Sequence, residues 1–153
     1  MNGIELRKAQ SDEAEEVSAV ALRSKGYWGC SDAFLAACRA ELTFTPEQCR
    51  SGALIVAESD RCIVGFYLLD GSPPEGELAA LFVDPVWIGA GVGGALLRHA
   101  LTKAAELGFR CLVLDADPGA ESFYAKYGAE TIGSVASGSI PGRQIPQMRF
   151  DLT

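Results

Sequence analysis

The alternation of apolar and polar positions along the chain predicts a series of short strands. Residues 4–9 alternate from Ile4 to Arg7 and are typical of a short strand. The apolar run at 111–114 is instead typical of a strand buried on both faces. Taken together, the predicted strands cover residues 4–9, 53–59, 62–70, 77–83, 111–114, 130–137 and 145–152.

Helical periodicity fills the stretches between these strands. We predict helices near residues 11–26, beginning at Ser11, near 31–42, after Thr45, and near 119–127. The segment 91–107 shows the clearest helical pattern, because its polar residues gather on one narrow face. The order of elements predicts a mixed, mostly antiparallel sheet with helices on both faces, an α/β (α+β) fold formed by one domain over residues 1–153.

The composition is that of a globular protein. The 153 residues are 48% hydrophobic and 22% charged. No apolar run approaches the roughly 20 residues that span a bilayer, and the N-terminus lacks a secretory signal, so we expect a cytoplasmic protein without a membrane partner. The net charge of −7 disfavours nucleic acid and would suit a cationic acceptor.

Cysteine and histidine offer little chemistry. The five cysteines are an odd number without CxxC spacing, which predicts neither a disulfide framework nor a zinc site, and we expect buried free thiols and no bound metal. His99 is the only histidine and falls on the polar face of the helix predicted at 91–107, where we expect it to be solvated.

A glycine-rich loop is the strongest chemical signal. Residues 89–94 contain four glycines at the start of a helix, where free amides and the helix dipole favour a phosphate. The spacing matches G-x-G-x-x-G, and Asp115 lies about 20 residues further on, as in a dinucleotide-binding fold. Against that interpretation, five residues separate the strand from Gly89, and too little sequence remains for the further βαβ units. A kinase-type P-loop is excluded, since no Gly-Lys-Ser/Thr follows.

Two segments resemble the GNAT superfamily of acyl-CoA N-acyltransferases. Residues 77–97 resemble its strand and glycine loop, and residues 123–128 (Phe-Tyr-Ala-Lys-Tyr-Gly) resemble its second motif. The resemblance implies transfer of an acetyl group from acetyl-CoA to a primary amine, with coenzyme A held largely by backbone amides. The implied cofactor-binding residues are Leu81, Phe82, Val83, Gly89, Ala90, Gly91, Val92, Gly93, Gly94 and Asp117.

The same resemblance implies the catalytic and acceptor residues. Glu77 stands where several family members carry a general base, and at the head of an apolar strand its pKa should be raised. Tyr124 matches the tyrosine that protonates the departing thiolate. Tyr27 and Trp28 fall where the first two helices of the family wall the site of a small-molecule or peptide amine.

One departure from the motif bears on activity. Ile88 stands where the family usually has Arg or Gln, so a side-chain donor to phosphate is missing. We therefore expect weaker binding of coenzyme A than in typical relatives. A CoA-binding module without catalysis remains an alternative, and a homodimer is left open.

Overall fold

The computed structural model describes residues 4–27, 43–50, 52–87, 91–116, 120–136 and 144–152. The strands are β1 (Glu5–Lys8), β2 (Leu54–Ser59), β3 (Cys62–Ser72), β4 (Glu75–Val83), β5 (Cys111–Asp115), β6 (Glu130–Ala136) and β7 (Gln144–Asp151). The helices are α1 (Ala14–Tyr27), α2 (Pro46–Arg50), α3 (Val92–Glu106) and α4 (Glu121–Lys126). The helix predicted near 31–42 lies outside the described residues.

The seven strands form one sheet in the order β1-β2-β3-β4-β5-β7-β6. Four neighbouring pairs, β1–β2, β2–β3, β5–β7 and β6–β7, are antiparallel, whereas β4 and β5 run parallel. The predicted mixed, mostly antiparallel sheet is confirmed. The described residues cluster into two compact units: the first comprises Met1–Leu69 and Ala80–Ala100, the second Asp70–Ala79 and Leu101–Thr153.

In the first unit, helices cover both faces of the sheet. Val17, Val20 and Ala21 of α1 are fully buried in one core with apolar residues of β2 and β3. The opposite face packs against α3 at Gly65, where an added Cβ would lie 2.9 Å from Leu96 Cδ1. The predicted helices on both faces are therefore confirmed in this unit.

The helical segment begins at Ser11, as predicted, but the side chain that accepts from a free amide at its start is Glu13 and not Ser11. The backbone N–H of Gln10 donates to Glu13 Oε1 at 2.8 Å, and both terminal nitrogens of Arg7 donate to the same carboxylate. A short 3₁₀ turn, Ser11–Glu13, therefore precedes the α-helix. The charge-assisted hydrogen bonds from Arg7 of β1 hold the Glu13 carboxylate at the start of the helix.

The second unit has one buried and one exposed sheet face. Leu78, Leu112, Leu114, Met148 and Phe150 are buried on the first face. Gly76 belongs to it as well, because an added Cβ would lie 2.7 Å from the ring of Phe109. The strands predicted at 62–70 and 77–83 are too short. In the structure β3 continues to Ser72 and β4 begins at Glu75, so only Pro73 and Pro74 lie between them.

The cysteine prediction is correct in part. Cys49 and Cys111 are buried thiols, but Cys62 is exposed. It opens β3 immediately after the tight turn at Asp60 and Arg61, which keeps its side chain near solvent. Cys30 and Cys38 lie outside the described residues.

Within the described residues, every helix is too short or too polar to span a bilayer. No group of three or more His, Cys, Asp or Glu side chains in the same part of the chain could hold a metal ion.

Candidate active site

Glu77 lies on the exposed face of β4 in the second unit. The strand alternates, with Gly76, Leu78 and Ala80 buried and Glu77 and Ala79 exposed. The Glu77 carboxylate thus projects from one face of the strand, while the buried residues of the other face pack the strand against the core. This arrangement fixes the backbone of Glu77 while leaving its carboxyl group accessible to a polar ligand.

The pKa of Glu77 is raised, as the sequence predicted. Partial desolvation is the largest cause, followed by the negative charges of Asp115 and Asp70. Both effects disfavour the ionised carboxylate. The sequence offered the apolar strand as a reason, but it did not indicate the two aspartates, which come from neighbouring strands.

The pairing of β4 with β5 stops at Glu77. The parallel register joins Glu75 to Cys111, Gly76 to Leu112 and Glu77 to Val113. Beyond it, Leu78–Ala79 and Leu114–Asp115 have no partner in that ladder, while β5 continues to pair with β7. An extended ligand can hydrogen-bond to a strand edge of this kind as an added strand does.

Tyr124 lies in α4 on the buried side of the second unit. Its ring meets those of Phe123 and Phe150 edge-on, with centroids 5.2 and 6.4 Å away. Phe150 belongs to the buried sheet face, whereas Glu77 projects from the exposed one. The structure therefore places the two predicted catalytic residues on opposite faces of this part of the sheet.

The start of α3, in the first unit, suits an anion. Gly91 has φ +87°, a conformation that favours glycine, and an added Cβ would meet nothing within 4 Å. The N–H of Ala95 donates to the carbonyl of Gly91 at 3.1 Å. Val92, Gly93 and Gly94 are the first residues of the helix, where backbone amides generally have no acceptor within the helix and favour a negative charge.

The predicted residues of β4 in the first unit, Leu81, Phe82 and Val83, are half-buried. The ring of Phe82 lies 5.7 Å from that of Phe66, centroid to centroid, so its side chain packs with the core. Val92 is also buried, and its Cγ1 would lie 3.2 Å from a Cβ added at Gly65. The side chains of Phe82 and Val92 serve packing, and only the backbone of these residues is left for a ligand.

An ion pair that the sequence did not indicate holds the connection from β4 towards α3. Arg23 of α1 donates to Asp84 Oδ2 from Nε at 3.1 Å and from Nη2 at 2.7 Å. Asp84 in turn caps the 3₁₀ turn Pro85–Trp87, since its Oδ1 accepts from the N–H of Val86. Asp-Pro at 84–85 signalled a turn, but nothing local pointed to Arg23, which lies 61 positions earlier.

His99 is not the solvated residue that its position on the polar face of α3 predicted. Its Nδ1 lies 2.6 Å from the hydroxyl of Tyr67, a fully buried residue of β3. The polar face of the helix therefore borders the sheet at this turn. Burial also raises the pKa of Tyr67, so its hydroxyl stays protonated.

The remaining predicted site residues lie at the end of a described element or outside the described residues. Tyr27 is the last residue of α1. Trp28, Ile88, Gly89, Ala90 and Asp117 lie outside the described residues.

Comparison with known proteins identifies the family. The model of the acetyltransferase (GNAT) family matches residues 23–129. The peptidyl-lysine N-acetyltransferase YjaB of Escherichia coli K12 is 36% identical over 136 residues, covering 85% of this chain and 84% of the relative. YjaB of Salmonella typhimurium LT2 is 35% identical over 136 residues, covering 85% and 86%.

Solved structures share the fold over nearly the whole chain. A PaiA N-acetyltransferase from Thermoplasma acidophilum, in complex with coenzyme A, superposes with a TM-score of 0.81 at 22% identity, covering 97% of this chain and 99% of that one. Apo YjaB from Escherichia coli gives 0.69 at 27% identity, covering 96% and 95%. The family match decides against a dinucleotide-binding protein, and the relatives named as N-acetyltransferases favour an enzyme over a module without catalysis. This chain belongs to the GNAT family and is an N-acetyltransferase.

Proposed function

We propose that this enzyme transfers the acetyl group of acetyl-CoA to the side-chain amine of lysine residues in peptides. The YjaB relatives, which share more than a third of their aligned residues with this chain, are named as peptidyl-lysine N-acetyltransferases. The observation that carries the proposal is Glu77, an exposed carboxylate with a raised pKa on a strand whose ladder ends beside it. A base of this kind suits an amine that arrives as a cation.

The backbone at the start of α3 fits the donor. The backbone amides of Val92 to Gly94 suit the pyrophosphate of coenzyme A, and Gly91 leaves open space above them. Leu81 to Val83 would hydrogen-bond to the pantetheine arm through their backbone. Gly89, Ala90 and Asp117 enter this proposal through the family motif alone. Acetyl-CoA supplies a thioester carbonyl that an amine can attack.

Glu77 would prepare the acceptor. A lysine ammonium has a pKa near 10.4 and must lose a proton before its nitrogen can attack. Glu77 accepts that proton, directly or through one water. The new N–C bond forms as the C–S bond breaks in the gap beyond the end of the β4–β5 ladder, which can be reached from both faces of the sheet, and Tyr124 donates its phenolic proton to the sulfur. Tyr27 and Trp28 are proposed to line the path of the acceptor, on the resemblance alone.

The proposal is tested with a lysine peptide. An N-terminally blocked peptide containing one lysine should release coenzyme A thiol and gain 42 Da, about the mass of one acetyl group replacing a proton. The same peptide with glutamine for lysine should do neither. Glu77→Gln and Tyr124→Phe should each lower kcat with little change in the affinity for acetyl-CoA, measured by calorimetry.

Matched variants separate catalysis from folding. Glu130→Gln makes the same change of charge in exposed β6 and should keep the wild-type kcat. Thiol release from acetyl-CoA with small amines but never with the lysine peptide would reject the proposed acceptor. Wild-type turnover in both Glu77→Gln and Tyr124→Phe would reject the catalytic roles.

A further inference from the structure

Three carboxylates lie side by side on the exposed face of the second unit. Between β3 and β4 only two residues intervene, so Ser72 faces Glu75 and, two steps back, Asp70 faces Glu77. A Cβ added at Gly71 would lie 3.3 Å from the Cα of Gly76, in agreement with this register. On the other side, Glu77 pairs with Val113, and Asp115 is the next residue of β5 on that face.

Three other titratable groups, those of Glu75, Cys111 and Arg149, lie on the strands around Glu77. Glu75 precedes it on the same face of β4, and Cys111 faces Glu75 from β5. Arg149 of β7 faces Val113, yet its pKa is raised first by a hydrogen bond to Cys111 and then by Asp151 and Glu75. Among the described residues, the groups that act on the titration of Glu77 are Asp115 and Asp70.

Asp70 is held in place by the hairpin. Its Oδ1 accepts a hydrogen bond of 2.8 Å from the N–H of Gly71, the next residue of the hairpin. Asp115 ends β5, where the register with β7 pairs it to Gln147. Both residues therefore keep fixed backbone positions relative to Glu77, and their effect on it is a property of the sheet.

We propose that Asp70 and Asp115 are positioning residues that act through Glu77 and set the pH range in which it accepts the proton of the acceptor amine. The inference rests on the proposed role of Glu77 as the base. Each negative neighbour makes the Glu77 carboxylate a stronger base, because its protonation removes a repulsion between like charges. A stronger base takes the amine proton more readily, but it becomes protonated, and inactive, at a higher pH.

Two measurements on the full-length enzyme test the proposal. The pKa of Glu77 is obtained from the NMR titration of its side chain, identified by its absence in Glu77→Gln. The acid limb of kcat/KM against pH is recorded with the lysine peptide. Asp115→Asn and Asp70→Asn should each lower both values by about half a unit. Asparagine retains the Oδ1 that accepts from Gly71, so the hairpin is preserved.

Salt and a distant charge provide the controls. Raising ionic strength from 0.01 to 1 M shortens the screening length from about 30 to about 3 Å, so it should lower the pKa of Glu77 in the wild type and hardly move it in the double variant. Glu130→Gln removes a charge three strands away, roughly 14 Å by strand spacing, and should change neither value.

Each outcome has one meaning. An NMR pKa of Glu77 that stays unchanged in both Asp→Asn variants overturns the coupling, whatever the activity. A lowered NMR pKa with an unmoved acid limb shows that Glu77 does not limit proton transfer, and it overturns the inferred role of the aspartates. If the wild type does not acetylate the lysine peptide, while the NMR pKa of Glu77 still falls in the Asp→Asn variants, the proposed function is wrong and the coupling between the carboxylates stands.

Discussion

Arg23 Nη2 lies 2.7 Å from Asp84 Oδ2, and this ion pair ties α1 to the chain segment that precedes the glycine-rich loop. Asp84 also caps the turn after it, so the pair fixes the direction from which the chain approaches α3. The turn Pro85–Trp87 is therefore held from outside its own sequence.

Arg23→Gln should weaken binding of acetyl-CoA without lowering kcat. The Arg23 side chain is half exposed, so the pair contributes about 0.2–1 kcal/mol, which corresponds to a loss of affinity of up to about fivefold. Calorimetric titration with acetyl-CoA measures this change. Arg61→Gln, at the exposed β2–β3 turn, is the matched control. Equal affinities in the two variants would show that the ion pair has no part in binding.

Glu13 should make the stability of the fold depend on pH. Its pKa is lowered, mainly by the hydrogen bond from Arg7. Because the pKa of Glu13 is lower in the folded state than in the unfolded state, where it is near 4.3, the ionised carboxylate stabilises the fold above that pH. This stabilisation is lost as the pH falls through the pKa of the folded state. Glu13→Gln should therefore cost about 1–2 kcal/mol at pH 7 and much less near pH 3. Urea unfolding at both pH values checks this, with exposed Glu15→Gln as control; an equal cost at both would contradict the linkage.

Gly65→Ala should destabilise the packing of α3 on the sheet. The new Cβ would lie 2.9 Å from Leu96 Cδ1 and 3.0 Å from the carbonyl oxygen of Phe82, which is backbone and cannot rotate away. We expect a loss of about 1–3 kcal/mol in the free energy of unfolding, measured in urea. Gly133→Ala in β6, where an added Cβ meets nothing within 4 Å, should change it by less than about 0.5 kcal/mol. Equal effects at both positions would rule out the clash.

Tyr67→Phe should remove a buried hydrogen bond to His99. The loss is expected to cost about 0.5–1.5 kcal/mol of stability by urea unfolding. Since His99 is the only histidine, its imidazole signals in NMR need no assignment and should shift in the variant. Tyr127→Phe, in the half-buried position after α4, is the control. An unmoved imidazole spectrum would contradict the contact.

Ile88→Arg should tighten binding of acetyl-CoA, since the family motif usually has a donor side chain there. A charge-assisted hydrogen bond contributes about 1.5–3 kcal/mol when desolvated and less at a surface, so a gain of at least a few-fold is expected. Ile88→Met, which adds no donor, is the control. A calorimetric titration without any gain for arginine would show that backbone amides already suffice.

Much of the fold was predictable because local signals agreed with the tertiary result. The buried run at 111–114 and the helical stripe after Gly91 reappear as β5 and α3 within one or two residues. The raised pKa of Glu77 also followed from its place on an apolar strand. The motif around it was sufficient to indicate the family, which the comparison confirmed.

Contacts distant in sequence were not predictable. Arg23 and Asp84 are 61 positions apart, and His99 meets Tyr67 from another element, so no local pattern links either pair. The polar face of α3 suggested solvent at His99, but a hydroxyl buried in the adjacent sheet provides its partner. Such partners depend on packing, which periodicity does not encode.

The amino-acid sequence by itself determined most of the elements and the glycine-rich helix start, because these depend on local periodicity and residue type, and its resemblance to the family pointed to Glu77 as the proposed base. Only the tertiary structure decided which charges surround that base. Asp70 and Asp115 reach Glu77 from two different strands, through a two-residue hairpin and a parallel register. Register is a property of strand pairing, and it brings together carboxylates that the chain itself keeps far apart.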